Sequence, residues 1–201
     1  MGTSTILDVI GSIIIFGVLL LMSLRLNASA SEYAGAYNAN YLLQRNMIVL
    51  TVILEQDLKS VGYNVPLNIP AVLVADSKEF RFMRGTDVID YIVGDSTELL
   101  STNNPRDRYL YRNVNGVVNR MNLGVTNLTF NYWRIDDPTI QLATPVAVTG
   151  NIGPIDVSIT LESPFKLAQA DNLSYMQDNS QYIMFWRQIR SIARRTQVQT
   201  P

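Results

Sequence analysis

The sequence predicts an α+β fold: a long N-terminal helix, apolar and then amphipathic, packed on an antiparallel β-sheet domain. Three observations predict it. An apolar run opens the chain, an amphipathic stripe of helical period continues from it without a proline, and short β-type runs fill most of the remainder. The expected division is 1–26 as a membrane-competent apolar helix, 27–62 as its amphipathic continuation and 63–201 as the β domain.

Residues 6–24 read ILDVIGSIIIFGVLLLMSL, 19 positions with a single charge, Asp8. As a helix this run is roughly 28 Å long, about the thickness of a bilayer core. No Lys or Arg precedes it, its apolar core is long for a secretory signal, and no clean small-residue cleavage site follows. A membrane-competent helix is therefore expected. Residues 25–40 are polar, Ala-rich and free of proline, so the helix passes through them. Then Leu43, Met47, Leu50, Leu54, Leu58 and Val61 recur at spacings of three and four, with Arg45, Glu55 and Lys59 elsewhere on the wheel. Gly62 supplies a stop and Pro66 opposes continuation. One helix over 3–61 would be roughly 88 Å long, far beyond the usual globular length.

Seven runs of β character follow, at 71–74, 79–83, 88–93, 109–112, 117–122, 128–133 and 155–161. Asn115-Gly116 predicts a hairpin between the fourth and fifth. Strands joined by short turns imply an antiparallel sheet rather than alternating βαβ units. Segment 164–181 has no clear period and reads as a loop or short helix. The end of the chain places Arg187, Arg190, Arg194 and Arg195 within nine positions. A nucleic-acid or lipid-headgroup site is one reading of them. The other is a final strand or short helix whose Tyr182, Phe185, Ile189 and Ile192 pack on the core while the arginines face outward. The charge balance favours the second: 16 Lys+Arg against 17 Asp+Glu gives a net charge of −1, too little to steer nucleic acid.

Composition narrows the chemistry. With no histidine and no cysteine the chain has no imidazole base, thiolate nucleophile, disulfide or Cys/His zinc site. Ser, Thr and Tyr are plentiful, but no nucleophile–base spacing or phosphate-binding glycine loop occurs among them. Asp76, Asp87, Asp90, Asp95, Asp136 and Asp137 lie in or beside turns without calcium-loop spacing, and read as solvated turn acids. No catalytic residue, metal or cofactor is expected, and the chain reads as a non-enzyme.

Five segments carry a resemblance. The helix end Leu54-Glu55-Gln56-Asp57-Leu58-Lys59-Ser60-Val61-Gly62-Tyr63 is followed by Phe80-Arg81-Phe82 with Val88-Ile89-Asp90-Tyr91, and then by Leu110-Tyr111-Arg112 with Asn115-Gly116. Gly124-Val125-Thr126-Asn127-Leu128-Thr129-Phe130-Asn131-Tyr132 and Pro154-Ile155-Asp156-Val157-Ser158-Ile159-Thr160-Leu161 complete the ordered set. Together with the opening helix they resemble the type IV pilin and type II secretion pseudopilin superfamily over about residues 1–161, most specifically the minor pseudopilin J and minor pilin W branch.

The resemblance implies a structural subunit, anchored in the bacterial inner membrane with its β domain outside the cytoplasm. Such subunits assemble by N-terminal helix bundling into a pilus or pseudopilus-type filament. Its partners would be copies of itself or related subunits, with membrane lipid before assembly and no nucleic acid. Asp8, Gly11, Ile14, Phe16, Gly17 and Leu20 would form the assembly and membrane surface. The stripe from Leu43 to Val61 would dock the domain, and the C-terminal arginines would offer an interface. The family carries a basic leader, a Gly before the cleavage point and a Glu at mature position five. Here no basic residue precedes the run, Thr3 follows Gly2, and Asp8 is the acid nearest the expected glutamate. Two readings of the N-terminus stay open: Met1 as a mature first residue, or use without leader cleavage. Two other functional classes also stay open: a bitopic membrane-anchored β domain that binds a ligand or partner and does not polymerise, and an accessory structural subunit of a larger envelope machine, held by its helix. Arg25, directly after the run, gives a slight positive-inside vote against the pilin topology.

Overall fold

The computed structural model describes residues 2–66, 68–164 and 182–193. Arg194, Arg195 and nearly all of the expected loop at 164–181 lie outside the described residues. A single uninterrupted helix, α1, spans Gly2–Lys59. At 1.5 Å per residue its 58 residues reach about 87 Å. Its last turn tightens as Ser60 and Val61 donate their N–H groups to the carbonyls of Asp57 and Leu58. Gly62 then turns the chain at φ 75°, a left-handed conformation that a Cβ would strain. Its N–H donates to the Met83 carbonyl at 3.0 Å, which ties the helix end to the sheet.

Eight strands form one antiparallel sheet: β1 Val72–Ala75, β2 Glu79–Arg84, β3 Asp87–Val93, β4 Arg108–Val114, β5 Val117–Arg134, β6 Gln141–Leu142, β7 Ile152–Glu162 and β8 Met184–Ile192. The spatial order is β1-β2-β3-β4-β5-β7-β8, with the short β6 also paired to β5. The expected α+β arrangement is thus the observed one. Helix α1 lies across β5, β7 and β8. Alternation does the packing: Phe80 and Phe82, Ile89 and Tyr91, Leu128, Phe130 and Tyr132, and Ile155, Val157, Ile159 and Leu161 all face the core. Against them sit Leu43, Met47, Leu50, Leu54, Leu58 and Val61, each buried. Burying a leucine side chain fully contributes about 1.5–3 kcal/mol, so this stripe is a principal source of helix–sheet cohesion.

Three expectations change. The runs at 117–122 and 128–133 belong to one strand, β5, whose first half pairs with β4 and whose second half pairs with β7. Gly124, which resembles a breaker, instead marks an irregularity at φ 75°, where a Cβ would come within 2.6 Å of the Glu162 carbonyl oxygen. In β8, Ile189 is buried but Ile192 is 71% exposed. Residues three apart share a helix face but take opposite faces of a strand, so a strand cannot bury both. Finally, Asp90 is no solvated turn acid. It lies within β3, is buried, and pairs with Arg81 at 2.9 Å.

Candidate assembly surface

Helix α1 changes character along its length. Below Asn40 one face is covered by the sheet, whereas nearly every position from Ile6 to Tyr37 is exposed. Among the described residues one helix is long and apolar enough to cross a membrane, and none of its most apolar stretch is buried against the protein. Phe16 is 67% exposed and Leu20 50%, and Ile14 is equally open. Gly11 and Gly17 have nothing within 4 Å of where a Cβ would sit, so among the described residues no contact requires glycine there. Asp8 is exposed, and among the described residues no ion pair engages it. Its backbone carbonyl accepts from the Ser12 hydroxyl at 2.8 Å, an ordinary intrahelical contact.

A second exposed seam was not anticipated from the sequence. Tyr33, Tyr37, Tyr41, Ile48 and Val52 are all more than half exposed. Their spacings of four, four, seven and four keep them within roughly a 100° arc of the helix. The i, i+4 recurrence of tyrosine was the available signal. It was obscured because the buried stripe of the same period starts at Leu43, directly below it. The seam extends the apolar surface from the membrane-competent segment down alongside the docked half.

The lower helix is aimed by a buried ionic latch. Asp57, facing the sheet from the last turns of α1, accepts from Arg112 Nε at 2.7 Å, Arg112 Nη2 at 3.2 Å and the Tyr91 hydroxyl at 2.6 Å. Arg84 approaches the same carboxylate at 3.6 Å. Hydrogen bonding to Asp57 holds the Arg112 guanidinium above its ordinary pKa, while burial, reinforced by the Asp57 charge, pushes the Tyr91 phenol up. The four groups join α1 to β2, β3 and β4 and fix the direction in which the upper helix leaves the domain.

Arginines 187 and 190 do not share a face. Arg187 reaches Glu55 of α1 at 3.4 Å, and Glu55 also meets Lys59 at 3.6 Å. On the other face of β8, Arg190 binds Asp156 through Nε at 2.6 Å and Nη2 at 2.7 Å and lies over the Trp133 ring. Asp156 also accepts from Trp133 Nε1 and Gln188 Nε2 and is only 1% exposed. Burial pushes its carboxyl up, but Arg190 and the other donors outweigh that and hold it below the usual range. Both described arginines are therefore engaged within the chain. Among the described residues no group of three or more acidic side chains is placed to hold a metal ion.

Comparisons with protein-family models, characterised proteins and solved structures find no match to this chain.

Proposed function

We propose that this chain is a pilin-like structural subunit, a minor pilin or pseudopilin. Its apolar segment would hold it in the bacterial inner membrane with the β domain outside the cytoplasm. Helix bundling with copies of itself or related subunits would then build a pilus or pseudopilus-type filament. One observation carries the proposal: a single helix half docked on its own sheet and half bare, with the outer 6–24 stretch of the bare half apolar on nearly every side. In lipid that half is satisfied by acyl chains. On leaving lipid it must be covered by other apolar helices, and subunits of the same design provide that cover. The exposed tyrosine seam gives a neighbour's helix further apolar surface to follow.

The β domain has no chemical role in this reading. Asp8 would act in assembly: a lone charge among packed apolar helices is costly unless paired, so it favours arrangements that supply a partner. The alternative, a bitopic anchor whose domain binds a partner without polymerising, draws on the slight vote of Arg25 against the pilin topology. Shearing intact cells separates the two. A filament subunit is recovered in the sheared extracellular fraction or, for a short periplasmic filament, as a cross-linked ladder joined through the helix. Recovery solely as uncross-linked protein in the membrane pellet would refute the filament reading and leave the anchor. Mass spectrometry of the N-terminal residue of the cell-derived protein would settle leader processing.

A further inference from the structure

The two edges of the sheet are finished differently. At one edge β1 has only four residues, and Val146 donates its N–H to the Ala75 carbonyl at 2.9 Å, so the loop before β7 covers part of it. At the other edge β8 runs beside β7 for nine residues in unbroken register. Just beyond that ladder the Ser163 N–H donates to the Ile183 carbonyl at 2.9 Å, which makes these two a hydrogen-bonded pair. Bonded and non-bonded pairs alternate in an antiparallel ladder, so Leu161 bonds to Phe185, and so does every second pair as far as Ile155 with Ser191. The N–H and C=O groups of Met184, Trp186, Gln188, Arg190 and Ile192 therefore point away from β7. Among the described residues no hydrogen bond from elsewhere in the chain reaches these backbone groups.

The side chains along this edge are not those of a strand kept out of contact. Solitary edges are short, or are blunted by charges, prolines or a covering element. Here Met184, Trp186 and Ile192 are 62%, 63% and 71% exposed. They alternate with Arg187 and Ile189, which face α1 and the core, and so lie on the opposite face of the sheet. The charge has one sign: residues 182–195 hold four arginines and no acid. On the α1 side Arg187 is half exposed and shares Glu55 with Lys59, so one carboxylate serves two cations.

We propose that β8 is a docking edge for an extended, acidic segment of another polypeptide, which joins the sheet as a further strand. The outward backbone groups supply its hydrogen bonds. Met184, Trp186 and Ile192 meet apolar side chains at alternate positions of the incoming strand, and Arg187 meets a carboxylate on its other face. A second copy of this chain does not fit. Pairing β8 with β8 antiparallel needs a two-fold axis along the sheet normal. Because α1 lies on the sheet face, that axis would send the two bare helix halves in opposite directions, and one membrane could not receive both. Only this exclusion rests on the membrane reading of the bare half.

The test is photo-crosslinking in the cells that make the full chain, with a benzophenone amino acid in place of Met184 or, as control, of Leu73 on β1. An adduct with a different polypeptide is expected from position 184 and not from position 73. Mass spectrometry should place the cross-link in a segment of net negative charge with apolar residues at alternate positions. Made as a synthetic peptide, that segment should bind the full chain in detergent micelles with a Kd of about 1–100 μM, and several-fold more weakly at high salt. Gln188→Pro removes an outward N–H that β7 does not use, so the β signal in circular dichroism should persist while the adduct is lost. Arg187→Glu leaves the backbone edge intact and should weaken peptide binding about ten-fold, which keeps the test decisive if the proline variant does not fold. No adduct at position 184, a cross-linked segment without acidic residues, or an adduct that survives both variants would overturn the proposal. Adducts solely between copies of this chain, in protein that pellets with membranes, would overturn it too; the membrane reading fails separately, if the chain is missing from that pellet.

Discussion

The two halves of α1 share one backbone and almost nothing else. From Leu43 downward the helix is held by side chains: five apolar residues against the sheet, with Val61 just past its end, Asp57 in the latch and Glu55 beside Arg187. Above Asn40, among the described residues, no strand covers it, and its apolar side chains are exposed. The buried half determines where the helix sits, while the bare half has no position except the one conferred by continuity. Stability of the domain and capacity for partnership are thus segregated along a single element.

Deleting residues 1–27 should break the comparison most sharply. The remaining chain is expected to stay in solution with its β signal intact, because the stripe and sheet keep their common core. Aggregation, or loss of β structure by circular dichroism, would mean that the bare half contributes to folding. Within the helix, Leu54→Ala should cost about 2–5 kcal/mol, as buried leucines do. The same change at Leu20 should leave the unfolding midpoint of the domain where it was, and an equal loss at both would erase the distinction.

A third expectation concerns acidity. The Asp107 carboxyl is raised to about 6 in the folded chain from an ordinary 3.8. The folded state therefore binds its proton more tightly, so the stabilisation is present in acid and disappears as pH rises through 6. A loss of about 2 kcal/mol between pH 4 and 6.5 follows. It should be absent from Asp107→Asn, and a flat wild-type difference profile would refute it. The smallest effect lies on the half-exposed flank of the docked helix. Arg187→Ala breaks an exposed pair and should shift stability by about 0–1 kcal/mol. Arg190→Ala, which strips a bidentate partner from buried Asp156, should lower the unfolding midpoint more than Arg187→Ala does. Equal effects at the two arginines would contradict the opposite-face geometry of β8.

The helix was legible because one stripe of period 3.6 ran through it without a proline, and Asn115-Gly116 marked the β4–β5 hairpin because few residues accept both positive φ values there. β5 was read as two strands because an irregularity and a turn use the same residue, glycine, and only the partner strand distinguishes them. The spacing of three between Ile189 and Ile192 fits one helix face but not one face of a strand, so burial of both was compatible only with the helical reading of this segment. The latch and the unpaired burial of Asp107 were invisible for a different reason. Asp57 finds Arg112 55 positions away, and Asp107 stands alone because Arg106 is drawn to Glu162, 56 positions on. Local spacing carries no trace of such pairings.

The Asp57 latch has a mechanical consequence. The stretch of α1 above Leu43 projects about 60 Å from its support, so it acts as a lever arm whose fulcrum is the docked half. A tilt of about 5° at the latch would sweep the far tip through roughly 5 Å, half the distance between packed helix axes. The ionic contacts of Arg112 and Arg84 and the Tyr91 hydrogen bond to Asp57 therefore set the aiming tolerance of a surface several nanometres away. Loosening them would scatter the tip without touching a residue on it.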